Sequence, residues 1–455
     1  MCGWRSAELR WDSRPIPTVR GRRRVHRGEG PTYGAAAPLR PPGTPVRGGA
    51  AQPPPPRPVP RAAPQYRPPE TSVRAVPRRG HLGPFSLAQI VAAEVAALAL
   101  VFAVTQNIAT LAVTLAGAAA MMLIFFSRRQ HRWWLEHRRV AAEHRRRRAA
   151  RLDPRSGPVL AALRSVAPGL TVRDVTASDG AVGVARDEAG WYSVVAVDPA
   201  VTEVPLDALA GALTGAGQPG LVMELVTHTV PAPSPDVPAA SPSGASYRQL
   251  VESVSAGPVP AYRETSISVR IDAQALAEAL LDHTADPEAA ATLVAGLGRK
   301  VTANLRRLGI TGRPLDADQL LALLARSCDV EPWALADGPG VDEAWTHWRS
   351  ARLIHRTYWL KTWPASATEI GSLFAWAATA PAAQTSVALL LRAGAGNEVA
   401  VRAFIRMAAR PDADLTALDR VLQEGVRRAG GELLPLDGEQ GPAAYATAPT
   451  GGGAG

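Results

Sequence analysis

Two apolar runs between residues 85 and 126 leave few options for how this chain begins to fold. The first, 85–105, reads FSLAQIVAAEVAALALVFAVT, with Glu94 as its one charge. The second, 108–126, reads IATLAVTLAGAAAMMLIFF and has no charge. Neither contains proline. As a helix rising about 1.5 Å per residue, each is long enough to cross a hydrocarbon layer of roughly 30 Å. The pattern predicts a two-helix transmembrane hairpin turning at Gln106-Asn107.

The flanks orient it. Arg74, Arg78 and Arg79 precede the hairpin, and Arg128, Arg129 and Arg132 follow it. Positive residues stay cytoplasmic, so the expectation is a multi-pass protein of the plasma membrane with most of the chain in the cytoplasm. Trp133 and Trp134 fall where amphipathic indoles prefer the headgroup level, and with the three arginines they form the expected membrane anchor.

In the second span Ala112, Ala116 and Ala120 recur every fourth residue, as Ala92/Ala96 and Ala99/Ala103 do in the first. Small side chains on one face let helix backbones approach closely, either within the hairpin or against a helix of another protein. Glu94 is the costly residue, at about 2.5–3.5 kcal/mol for a charge at the bilayer centre. It is expected either to lie shallow or protonated, or to make a polar contact to a partner helix.

The formal charge of +10 is unevenly placed. Residues 1–84 carry +12 with 18 of the prolines, 127–155 carry +8 and Glu94 carries −1, which leaves −9 on 156–455. The first segment has no apolar periodicity and reads as a disordered Pro/Arg-rich tail. The second lacks helix breakers and reads as a basic juxtamembrane helix for anionic lipid headgroups. In it, Glu136-His137 and Glu143-His144 repeat seven residues apart, with both histidines expected in solvent. Because the body is acidic, no nucleic acid is expected as a partner. Two cysteines, Cys2 and Cys328, exclude a disulfide framework.

Residues 156–440 alternate between strand-like and helix-like patterns. The stretches 170–175, 180–186 and 191–197 read as a strand meander, 220–230 and 264–271 as strands, and 231–246 as a Pro/Ser-rich loop. Helices are expected over 206–213, 273–308, 316–326, 368–379 and 415–429, while 387–391 and 399–407 are ambiguous. Residues 345–363 read as extended chain, and 441–455 as a flexible tail. The class is mixed α/β (α+β), following the membrane hairpin.

Motifs with chemistry are missing. Gly296-x-Gly298-x-Lys300 has the wrong spacing for a phosphate loop, and no nucleophile elbow, His-Glu-x-x-His or Cys-x-x-Cys occurs. His347 and His355 read as packed or surface residues, Trp345, Trp348, Trp359 and Trp363 as core, and Asp272, Asp282 and Asp286 as caps or solvated acids. No catalytic residue, metal or cofactor is therefore assigned.

The layout is familiar. A membrane hairpin, Trp133-Trp134 and an arginine-rich exit precede Asp179-Gly180-x-x-Gly183-Val184 and Gly190-Trp191-x-x-Val194-Val195-x-Val197, with Thr357-Tyr358-Trp359-Leu360-x-x-Trp363-Pro364 late in the chain. Over roughly 85–440 this resembles EccE, a membrane component of the actinobacterial type VII (ESX) secretion machine. The resemblance implies a non-enzymatic structural subunit that assembles with EccB, EccC, EccD and the mycosin protease, with ATP-driven transport left to EccC. Leaving the resemblance aside, the residues also allow a membrane-tethered enzyme with a transferase-like domain.

Overall fold

The computed structural model describes residues 72–453 apart from 76–80, 83–84, 130–131, 150–156, 178–179, 202, 233–240, 255–258, 274, 277–286, 338–339 and 395–397. Most of the expected disordered tail, and Asp282 and Asp286, lie outside the described residues. Within that tail Ser72–Ala75 forms a strand, and His81–Leu82 pairs with Phe85–Ser86.

The first apolar run therefore becomes helical only from Leu87. Helix α1 is Leu87–Val104 and α2 is Ile108–Phe126, with Asn107 capping α2 by accepting from the Thr110 amide at 2.8 Å. Gln89 near the start of α1 donates to the Phe125 carbonyl near the end of α2, so the two run antiparallel. Among the described residues only α2 is long and apolar enough to cross a membrane, and the apolar stretch of α1 is Gln89–Val104. The first of the two expected spans, 85–105, is shortened accordingly, because residues 85–86 are used in strand pairing. Helix α3, Trp134–Ala149, follows after a small strand pair, Arg128–Arg129 with Arg132–Trp133.

In the body, α4 is Pro158–Arg164, with proline at its first turn where a missing amide costs nothing. Strands β1 (Thr171–Ala177), β2 (Gly180–Asp187) and β3 (Gly190–Val197) form the expected meander. Then come α5 (Leu206–Ala216), β4 (Leu221–Ala232), α6 (Pro242–Val254), β5 (Val259–Asp272), α7 (Pro287–Arg307) and a short strand, Gly312–Pro314. After α8 (Ala317–Ser327) and α9 (Pro332–Asp337), Asp342–Glu343 and Trp348–Arg349 make a small hairpin. The remainder is β6 (Ile354–Thr362), α10 (Ala367–Ala377), β7 (Gln384–Ala393), β8 (Glu398–Ala409), α11 (Leu415–Arg428), a strand at Glu432–Pro435 and α12 (Gln440–Ala446).

These strands share one sheet in the order Asp342–Glu343, Trp348–Arg349, β6, β8, β7, β4, β5, β3, β2, β1. Gly312–Pro314 joins beside β3, and Glu432–Pro435 beside β6. Every pairing in it is antiparallel except Ser72–Ala75, which runs parallel to the start of β8.

The sheet consists of two equivalent halves. In the first, β3-α5-β4-β5-α7-(312–314) places its strands in the order fourth, first, third, second. The second half, β6-α10-β7-β8-α11-(432–435), gives the same order, and each half is preceded by a hairpin on its first strand. Each is a split βαβ unit of the ferredoxin-like type. The halves join through their second strands, β4 and β7, which pair antiparallel with Leu225 opposite Leu389. The main departure is α6, inserted between β4 and β5 where the second half has only residues 394–397 between β7 and β8.

One face of the sheet is covered by α5, α7, α10 and α11, packed on side chains such as Met223, Ile267, Leu391, Val387 and Ile405. The opposite face is covered by α4, α8 and α12. The ambiguous stretches resolve as β7 and β8, because Val399, Val401, Ala403, Ile405 and Met407 alternate inward with period two. Residues 242–254, partly expected as loop, are helix. The expected flexible tail is also corrected: 440–446 is helix, and 447–451 and Gly453 include buried residues against the sheet.

Candidate functional site

Helix α3 meets the body along a single stripe. His137, Val140, His144 and Arg147 are spaced three or four residues apart and so share a face. This face sits on the tip of the 342–349 hairpin. The rings of His137 and His144 stand edge-on to Trp345, with centroids 5.1 and 5.5 Å away. Gly438, at φ +80°, leaves no room for a side chain, since a Cβ there would lie 2.6 Å from the Trp345 ring and 2.7 Å from Val140.

Charge closes the joint. Arg147 donates from Nε to Glu343 Oε2 at 2.9 Å and from Nη2 to Oε1 at 3.0 Å, with a further bond to the Gly438 carbonyl at 2.6 Å. Arg132, only 4% exposed, pairs with Glu439 at 2.8 Å. Bidentate and buried pairs of this kind fix geometry and are costly to break one partner at a time. Arg148 and Asp342, 3.8 Å apart and both exposed, contribute little. The seven-residue histidine repeat marks this stripe, but His144 is buried rather than solvated, because Trp345, two hundred residues later, completes the contact.

The expected anchor residues separate. Arg128 stacks over Trp133 at 4.2 Å and Arg138 over Trp134 at 5.1 Å, whereas Arg132 turns inward to the body. Arg129 follows Arg128 in the small strand pair. Ala112, Ala116, Ala120 and Glu94 are all exposed. The contact between α1 and α2 uses Ala92, Ala96, Ala103 and Ala118 instead, so the fourth-residue stripe of α2 faces away from α1.

A second cluster lies under the face covered by α12. Strand register places His228, Ser386, Arg406 and Thr357 in a row across β4, β7, β8 and β6. It places Ser268, Glu224 and Leu390 in a row further along the same face, beyond that of Ser266, Val226 and Ala388. Arg406, fully buried, donates to the carbonyls of Ala444 at 2.9 Å and Ser327 at 2.6 Å and to Ser386 Oγ at 3.0 Å. Burial, reinforced by the Arg406 charge, pushes His228 down to about 3 and His355 well below the ordinary imidazole range, so both are neutral.

Glu224 and Arg270 hold the segment after α12. Glu224 Oε2 accepts the amides of Thr450 at 3.0 Å, Gly451 at 2.7 Å and Gly452 at 3.1 Å. Burial pushes this carboxyl up to about 8 against the opposing pull of those amides. Arg270 donates to the Thr450 carbonyl and pairs with Asp187, which also accepts from the Tyr445 hydroxyl at 3.0 Å. These groups escaped sequence reasoning. Their one signal was a charge inside an apolar strand, as in LVMELV around Glu224 and AFIRMA around Arg406.

Asp329, Ser350 and His355 also converge, but the geometry is wrong for nucleophilic catalysis. The Ser350 hydroxyl lies 2.6 Å from Asp329 and 2.9 Å from His355 Nε2, so its proton goes to the carboxylate and the imidazole has no base to offer. All three are 1% exposed or less. Asp329, at φ +52°, also accepts from the Arg352 and Leu353 amides and pairs with the Arg352 side chain, which makes the cluster a loop clasp.

Residues 259–360, from β5 through most of β6, match the family described as a putative type VII ESX secretion system translocon, EccE. That family is a component of a secretion system. No curated protein matches the chain.

Proposed function

Taking the chain as a member of the EccE family, as the match over residues 259–360 supports, we propose that it is a non-enzymatic structural subunit of a type VII secretion membrane complex. Both α1 and α2 enter the bilayer, with Gln106-Asn107 outside and the α/β body in the cytoplasm, in keeping with the arginines on either flank. The observation that carries the reading is the joint. The segment leaving α2 is clamped to the body by Arg132–Glu439, just before α3, and by Arg147–Glu343 within it, so spans and body act as one unit.

Arg128, Arg129, Trp133 and Trp134 lie at the headgroup level against anionic lipid, joined by the exposed Arg138 and Arg139 of α3. Arg132 serves the joint instead. The outward stripe of Ala112, Ala116 and Ala120, with Glu94 on α1, is the surface for helices of other subunits. EccB, EccC, EccD and the mycosin protease are the partners this membership suggests.

Purification of the tagged full chain from mild detergent tests the proposal. Recovery with a channel subunit and a secretion ATPase is expected, together with labelling of Gln106→Cys by an impermeant maleimide from outside the cell. Isolation as a lone species, or labelling only after the membrane is broken, would sink it.

A further inference from the structure

One carboxylate touches both α3 and α12. Glu343 receives Arg147 of α3 on both oxygens, and its Oε1 also accepts the Gly441 amide at 3.0 Å. Gly441 lies in the first turn of α12, whose own cap position, Glu439, makes no side-chain capping bond. Glu343 therefore supplies from another strand the acceptor that the start of α12 needs. The preceding residues belong to the same contact, since the Gly438 carbonyl accepts from Arg147 and Glu439 pairs with Arg132.

Helix α12 and the residues after it are held almost wholly by side chains beneath them. Gln440 bonds the Thr357 amide at 2.8 Å, Arg406 takes the Ala444 carbonyl, and Tyr445 reaches Asp187 and Tyr192. Thr450, Gly451 and Gly452 close on Glu224. Residues 440–453 are thus a strap fastened at one end by the partner of α3 and at the other by a buried carboxylate at the junction of the two halves.

We infer that this strap is a conformational relay, in which docking of α3 holds residues 440–453 closed over the sheet and undocking of α3 releases them. The local reason is electrostatic. Without Arg147, Glu343 is a buried carboxylate whose paired cation has gone, so it must turn toward water, and that turn weakens its hold on Gly441. Helix α12 then loses the acceptor at its first turn. The strap beyond it opens as a unit, without unfolding of the sheet. A change at the membrane side that shifts α3 is thereby reported at Glu224 and Arg270. The inference goes beyond the proposed structural role and depends only on the docking of α3, whatever the partners are.

Hydrogen exchange of the full chain in detergent, read by mass spectrometry, tests it. In Arg147→Ala, the amides of residues 450–452 should exchange about tenfold faster, while those of β4 and β5 keep their protection. Coupling free energies are reciprocal, so Gly452→Ala, which loosens the strap from its far end, should speed exchange in α3 around Val140 and His144 by a similar factor. If Arg147→Ala fails to fold, the Gly452→Ala reading at α3 decides alone. An unchanged strap in Arg147→Ala, a rise spread equally through β4 and β5, or an unchanged α3 in Gly452→Ala would overturn the relay.

Discussion

Gly452 allows the packing of the strap to be measured. Its φ of +73° is left-handed, and a Cβ built on it would fall inside the Leu390 side chain, 2.9 Å from Cγ. Gly452→Ala therefore carries two separable costs. The left-handed backbone costs an alanine about 1–2 kcal/mol, and forcing a methyl into a filled site costs about 1–3 kcal/mol more. Together they predict a loss of roughly 2–5 kcal/mol. Leu390 is 6% exposed, and Leu390→Ala alone should cost about 2–5 kcal/mol through the cavity it leaves. In that cavity the new methyl fits, so the double variant should lose less than the sum of the singles, by about the 1–3 kcal/mol of the clash. Denaturant unfolding of the full chain in detergent, followed by tryptophan fluorescence, gives all four corners of the cycle. Strict additivity would refute the reasoning, because it would mean that Gly452 and Leu390 do not touch.

Acid sensitivity follows from the buried histidines. His228 and His355 are neutral in the fold and titrate near 6.5 when unfolded, so their contribution is complete above pH 6.5 and drains as pH falls toward the folded values. Between pH 6.5 and 4.5, His228 alone should remove roughly 2 kcal/mol, a slope that His228→Gln should flatten in thermal melts. Glu224 works in the other direction, its contribution present at acid pH and lost as pH rises through about 8. Arg406→Met should lower the melting temperature, since the Ala444 and Ser327 carbonyls each lose a donor at about 1–3 kcal/mol. It should also raise the pKa of His228 measured by NMR, and an unchanged value would contradict the charge coupling.

How much of this was legible in the sequence depends on how locally each signal acts. The meander at 171–197, the capped helix at 317–327 and the apolar helix at 108–126 are written in neighbouring residues, and they emerge as read. The strands at 384–393 and 398–409 stayed ambiguous, because a short apolar run fits a buried helix as well as a strand until its pairing partners are known. The glycine-rich end read as a tail for a different reason. Its order comes from Glu224 and Arg270, which lie far away in the chain and are brought beneath it only by strand register. The same holds for the joint. The histidine repeat was visible and Trp345 read as core, while Glu343 and Glu439 were indistinguishable from surface residues until the hairpin was placed.

The duplicated sheet also bears on stoichiometry. Two separate chains of one βαββαβ unit each, meeting at β4 and β7, would build the same surface with a membrane anchor attached to both sides. Joined in a single polypeptide, the halves are free to differ, and only the second presents the Trp345 hairpin that receives α3. The sheet is thus held to α3 at one end of its strand order, with β1 at the other end.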